Sequence, residues 1–437
     1  MTDLSPQQQM RQADPLGDRI HFVIALLTCL AVASDTAPTE IAFAALSACF
    51  LVRLPHIYRF FHSFFRQTLV WIIIFWAAYA ALSLLWSIDR PQGLQELLRI
   101  RFFLLPLLIY PVLDRSGKLI IALLLGVVIL HASQLAELLE IMPASWDRDR
   151  YVRTRYGGWN QPVVSANLIA CAAALHLSAS LAGKGRLRLF SIFGLALALV
   201  GLILTGSRGP WIAALVILPL QLLITLILDP RLRRGGLAIL VVSVLVIGVS
   251  SFVFADQIQT RVRQATDEIT RVVHDQDYDS HTGARILMAK LALEMFREKP
   301  LIGYGGGSYH DAAAAIAQKQ NPDSDPPLGS LVHNHAHNAY FHEAATRGIP
   351  GLLLIIAVFL GGAASAFRRS SCPDHPWRQG VGWAVLVMAL CAMFDHPLIT
   401  QNSCYMTMML MSFALADCSQ IIPEPDRKTA GTISADV

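Results

Sequence analysis

Charge is scarce in this sequence. Asp, Glu, Lys and Arg make up 15% of its 437 residues, against 54% apolar, whereas an ordinary soluble domain is about 25% charged. That deficit excludes a soluble multidomain enzyme, a fibrous protein and a nucleic-acid binder. Cysteine is sparse where it would matter. The seven cysteines lie almost all in apolar runs or short loops, and none falls in the one long polar stretch, so no disulfide framework is written here. The formal net charge of +4 is small, and its meaning is positional.

What is present is a series of apolar runs, each near the roughly 20 residues that cross a hydrocarbon core. Backbone groups in lipid must be satisfied within the segment, so the runs are helices. They predict an all-α polytopic membrane protein with about twelve spans, the fourth at Leu98–Val112 and the tenth at Ile349–Phe367. Ala31-Val32-Ala33 resembles a signal-peptidase site, but the many later spans favour a retained anchor. Three regions follow: 1–254 with nine spans, 255–347 as a long polar loop, and 348–437 with three spans and a tail.

Arginine and lysine gather in alternate connections, which places both termini in the cytoplasm. The exceptions stand out. Arg148, Arg150, Arg153 and Arg155 crowd one outer loop, Arg99 and Arg101 sit at the outer mouth of the fourth span, and Arg208 stands in the outer turn Thr205-Gly206-Ser207-Arg208-Gly209-Pro210. Basic residues on the wrong side suggest an anionic ligand. For the four-arginine cluster, pairing with Asp147 and Asp149 fits equally well. Arg208 has no acidic neighbour in sequence.

Within 255–347, Ile258, Val262, Ala265, Ile269 and Val272 recur at helical spacing. A second helix fits Ala284–Glu298, stopped by Pro300 and Gly303. Such helices lie against the membrane surface or roof the bundle. Gly303-Tyr304-Gly305-Gly306-Gly307-Ser308 fails GxGxxG at Ser308 and reads as a flexible turn or a weak anion nest. Asp275, Asp277 and Asp279 lack the glutamate and glycine of a calcium loop and read as a solvated turn. His333, His335, His337 and His342 invite a zinc reading, yet His342-Glu343-Ala344-Ala345-Thr346 misses HExxH at Thr346. On a helix His333 and His337 share a face and His335 does not, so a three-ligand site needs non-helical backbone. The histidines otherwise suit acid–base work.

His337-Asn338, nine residues, then Gly348-Ile349-Pro350-Gly351 resembles the signature of bacterial O-antigen ligases. Thr205–Gly209 resembles that family's turn with its arginine, and Arg285 heading a helix that runs to Pro300-Leu301-Ile302-Gly303-Tyr304-Gly305 resembles its loop arginine and glycine motif. The resemblance spans residues 155–351. It implies a GT-C-like helical bundle in the inner membrane of Gram-negative bacteria, with its active site facing the periplasm. The implied reaction moves a glycan from undecaprenyl pyrophosphate to a sugar of lipid A–core, without cofactor or metal. The partners it implies are the lipid-linked donor, the lipid A–core acceptor and membrane lipids, with the protein working as a monomer.

Bottom-up chemistry agrees with that implication. A lipid-linked pyrophosphate is stabilised by guanidinium forks, here Arg208 and Arg285. The acceptor hydroxyl benefits from a base, here His337 kept neutral by cationic neighbours. Attack opposite the pyrophosphate inverts the anomeric carbon. Asn338, His335, Arg101, Arg153 and Arg155 are the candidate substrate-binding residues; the structural alternative for Asn338 is a helix cap, and for His335 a polar loop position is the favoured reading. An O-antigen polymerase and a protein O-oligosaccharyltransferase, with the same kind of donor, are the near rivals. A flippase would place polar or charged residues mid-span, and apart from His131, Gln134 and Glu137 in the fifth span the mid-span positions are poor in charge.

Overall fold

A computed structural model describes residues 4–142, 155–320, 322, 327–368 and 377–416. Among the described residues it contains helices and no strand. The first stretch holds α1 (Pro6–Ala13), α2 (Pro15–Ala31), α3 (Thr36–Ile57), α4 (His62–Phe65), α5 (Thr68–Leu82), α6 (Arg90–Ile100), α7 (Leu105–Ile109) and α8 (Ser116–Leu138). The middle holds α9 (Pro162–Ala182), α10 (Gly185–Thr205), α11 (Arg208–Leu228), α12 (Arg233–Val253), α13 (Ala255–Asp275), α14 (His281–Glu298) and α15 (Tyr309–Gln320). Then come α16 (Ala339–Arg368), α17 (Arg378–Cys391) and α18 (Gln401–Ala414).

Eight helical segments among the described residues are long and apolar enough to cross a membrane. The chain is an all-α polytopic membrane protein. The remaining expected spans take shorter or broken forms. α2 has 17 residues, and α17 and α18 have 14 each. The expected fourth span is not one helix. Pro106 and Pro111 remove backbone donors, and the chain passes from α6 through a 3-10 turn, α7 and a second 3-10 stretch before α8.

α9 is the hub of the bundle, and nearly all of its side chains are buried. Its run of alanine and serine, Ala170, Ala172, Ala173, Ala174 and Ser178 among them, lets α10, α11 and α17 approach closely, as small residues do in membrane interiors. Polar side chains in α8 serve the same packing. Gln134 donates to the Tyr156 carbonyl at 2.9 Å, and Glu137 accepts from Gly158 N–H at 2.6 Å. These residues bolt segment 155–161 in place, which accounts for mid-span polarity without a transport path.

The polar loop builds a small core of its own. Leu287, Met288, Leu291 and Met295 of α14 pack on Tyr309, Ala313 and Ile316 of α15, with Val332, Ala336 and Ala345 completing it. α13 and α14 follow the expected spacing. α15 arises from an alanine-rich stretch whose weak apolar contrast gave no periodic signal. The turn after α13 is solvent-facing, with Asp277 and Asp279 exposed or half-exposed and Arg271 paired to Asp277 at 3.2 Å.

The glycine strip 303–307 is a fastening, neither a free turn nor a nest. Gly305 N–H donates to the Thr346 carbonyl at 2.7 Å, and Gly306 N–H donates to Ser83 Oγ at 3.1 Å. A Cβ on Gly303, φ +66°, would lie 2.3 Å from Thr346 backbone, and one on Gly307 would lie 2.2 Å from Gly93 backbone. Gly348, φ 65°, breaks α16 into a short helix and a spanning one where it meets the Leu301 backbone.

Candidate active site

The turn between α10 and α11 reverses on Gly206, whose φ of 58° caps α10 in the left-handed region. It delivers Arg208 at the first position of α11. The Gly206 carbonyl accepts from Arg261 Nε at 3.2 Å, which draws α13 over the turn. Arg155, fixed by the bolted segment, donates to the Thr205 carbonyl at 3.3 Å and to Ser207 Oγ at 3.1 Å. Arg285 comes from the second turn of α14, whose N-cap Ser280 accepts from Gly283 N–H at 3.0 Å. Arg155, Arg208, Arg261 and Arg285 therefore line one small chamber together with His281 and Asp395.

Glu268 of α13 ties this chamber to α14. It pairs with Arg208 at 3.3 Å, accepts from Thr282 N–H at 3.2 Å and also takes the Thr282 hydroxyl. A carboxylate at a helix N-terminus is favourably placed. Burial pushes the Glu268 carboxyl up, but Thr282 and Arg208 more than offset this and leave it below the usual range. Burial, then Arg208, lowers Arg261 to about 10, still charged at neutral pH. Burial, reinforced by Arg155, Arg285 and Arg261, lowers His281 to about 4, although Glu268 opposes it.

The chamber adjoins a cleft of about 1030 Å³. Its far wall is the segment before α16, where Val332 and Ala336 are buried in the small core and pin a non-helical backbone. His337 has φ 48°, a conformation that costs a non-glycine residue about 1–3 kcal/mol and marks functional sites. His333 Nδ1 lies 2.9 Å from His337 Nε2, and His335 Nδ1 accepts from His337 N–H at 3.2 Å. On the other side, His337 Nδ1 lies 3.9 Å from Asp395 Oδ1. Burial and then His335, Arg285 and His333 hold the His337 imidazolium far below its ordinary range, so the ring is neutral. His335 is lowered to about 3, by burial first. Burial raises the Asp395 carboxyl, opposed by His396 N–H and Arg285.

The structure thus gathers Arg155, Arg208, Arg285, His335 and His337 of the sequence candidates around one cleft and its chamber. Asn338 instead caps α16, its Oδ1 accepting from Phe341 N–H at 3.0 Å. Arg101 is held by Glu40, which also accepts from Gln401 Nε2 at 2.8 Å, and lies over the Phe102 ring; it is not among the residues that line the cleft. Arg153, with Arg148 and Arg150, lies outside the described residues. Sequence reasoning missed Arg261, His281, Glu268 and Asp395 as members of the site. Asp395 alone carried a signal, as an acidic residue in a short outer loop free of basic ones.

Residues 193–356 match the family model described as O-antigen ligase. Over that segment the chain is similar to the O-antigen ligase family. The segment includes Arg208, Arg261, Arg285 and His337, and it leaves Arg155 and Asp395 outside. A stretch of 175 residues is also 27% identical to an uncharacterised protein of Haemophilus influenzae, covering 39% of this chain and 42% of that protein. The chain therefore spans less than half the length of that relative. At a coarse level the O-antigen ligase match supports glycan joining of the ligase or polymerase type by a multi-pass membrane protein.

Proposed function

We propose that the protein is an O-antigen ligase that moves a glycan from undecaprenyl pyrophosphate to a sugar hydroxyl of lipid A–core at the periplasmic face of the inner membrane. The observation that carries this reading is the convergence of four arginines on a chamber beside a neutral histidine. Guanidinium groups stay charged and pair bidentately with phosphate oxygens. Arg208 and Arg285 clamp the pyrophosphate, and Arg155 and Arg261 add charge behind them. That charge does the work a divalent cation does in other pyrophosphate-releasing enzymes.

The lipid tail has a matching path. An apolar groove of about 650 Å³ runs along α11 between α10 and α12, from Trp211 to Leu226. It starts one helical turn below Arg208, so a polyprenyl chain lying in it brings its pyrophosphate to the chamber. In the reacting tautomer His337 Nδ1–H faces Asp395, which orients the ring and stabilises its cation. Nε2, with His333 moved aside, accepts the proton of the acceptor hydroxyl. The acceptor oxygen bonds to the anomeric carbon as the carbon–oxygen bond to pyrophosphate breaks. Undecaprenyl pyrophosphate leaves, and His337 returns its proton to water. One displacement inverts the configuration.

The test is glycan transfer by purified protein from undecaprenyl-pyrophosphate glycan to lipid A–core, in chelator, beside His337→Ala. Inverted product that survives chelation and vanishes in the variant supports the reading. Retained configuration refutes the single displacement. Glycan joined only to a second lipid-linked glycan makes the protein a polymerase, and glycan joined to a protein makes it a protein transferase.

A further inference from the structure

We propose that His335, His337 and Asp395 form an inhibitory site for a borderline-soft divalent cation, zinc foremost. The inference rests on the base role of His337 given above and adds a regulator to it. One potential ligand atom from each of the three residues lies within 4.8 Å of the others. His337 Nδ1 and Asp395 Oδ1 are 3.9 Å apart, and Nδ1 is buried without a hydrogen-bond partner. Zinc bonds of about 2.0–2.2 Å place tetrahedral ligands roughly 3.3 Å apart, a distance small side-chain rotations reach. Three protein ligands and one open position make the pattern of a zinc that exchanges its fourth ligand.

The neighbouring ring decides what such an ion does. With a cation on Nδ1, the single proton of neutral His337 sits on Nε2 and donates to His333 Nδ1, already 2.9 Å away. Metal-bound imidazole characteristically places its other N–H in this way. The ring then has no lone pair for the acceptor hydroxyl, and Asp395 is withdrawn from its orienting role. The guanidinium groups of the adjoining chamber repel any divalent ion. That repulsion disfavours a hard ion such as magnesium, held by charge and oxygen, over one that bonds firmly to imidazole.

Cobalt(II), added to chelator-washed full-length protein in detergent, is the probe. The expected result is a visible tetrahedral ligand-field absorption that zinc displaces one for one. It is weakened at least tenfold in His335→Gln and Asp395→Asn, falls about 10–100-fold in His333→Phe, and is unchanged in His310→Gln, a half-exposed histidine on α15 outside the three ligands. Wild-type glycan transfer stops over the zinc range that displaces cobalt. No site-specific absorption, absorption indifferent to the three substitutions, or full transfer with the site saturated each overturns the proposal. The cobalt titration needs no turnover. Protein that binds cobalt as described but transfers no glycan in chelator refutes the base role, and the inhibition with it.

Discussion

Two clusters of arginine, at opposite ends of the bundle, are built on different accounts. At the start of α2, Arg11, Arg53 and Arg115 meet Asp14, Asp18 and Asp114 in a closed set of ion pairs, among them Arg53–Asp14 at 3.0 Å and Arg115–Asp18 at 2.8 Å. In the chamber beneath the polar loop, four arginines share their walls with Asp395, and Glu268 reaches Arg208 from outside. The first set is balanced and fixes α1 and α2 to the bundle. Among the described residues the second sets four arginines against the carboxylates of Asp395 and Glu268, with Arg261 buried and the others half-buried, an excess that an arriving anion would stabilise. Arginine number does not distinguish structure from chemistry; the local count of carboxylates does.

The largest expected effect breaks the second cluster. Arg285→Ala and Arg208→Ala, assayed by transfer of labelled glycan to lipid A–core, should each lower the rate about 10²–10³-fold, as loss of one group that stabilises developing charge does, while the melting temperature stays near wild type. The first cluster should answer in the opposite sense. Arg53→Met leaves Asp14 and Asp18 short of a buried partner, which costs about 3–5 kcal/mol. Thermal unfolding in detergent should show this, with the rate per folded molecule unchanged.

A smaller effect sharpens the electrostatics. A histidine whose folded pKa is depressed stays neutral until the pH falls through that folded value, so the His337 ring should show no protonation as the pH drops through 6.5, its unperturbed value. Arg285→Gln removes one of the cations that lower it, and the protonation step should move to higher pH in a ring-carbon NMR titration. A midpoint that moves down would contradict the arrangement. The smallest effect concerns Arg101, whose pair with Glu40 is one-third exposed on both sides. Arg101→Gln should cost about 0–1 kcal/mol and leave transfer within about twofold, the range of an exposed pair with no ligand role.

Much of this was legible because it is local. The long spans, α13 and α14 follow from hydropathy and spacing, and Arg208, Arg285 and His337 from the family resemblance. The unread parts are made by distance in sequence. Arg261 looks like one more polar position on an amphipathic helix until α13 folds over Gly206. Glu268 finds Arg208 sixty residues away. Asp395 acquires its role only when the loop after α17 meets the start of α16, where Ala339 N–H donates to its carbonyl at 3.1 Å. The broken fourth span shows the reverse case. Pro106 and Pro111 were visible, but hydropathy averages over them.

Under the proposed function, the glycine strip bears on how a lipid-borne donor would arrive. Gly303–Gly307 is stitched at backbone distance to Ser83, Gly93 and Thr346, so the helical roof cannot swing up along that seam. A donor whose tail occupies the α11 groove therefore comes sideways, by diffusion in two dimensions. Its encounter rate scales with mole fraction in the bilayer rather than with concentration in bulk. Diluting vesicles in buffer should leave turnover unchanged, whereas diluting the donor with inert lipid should slow it.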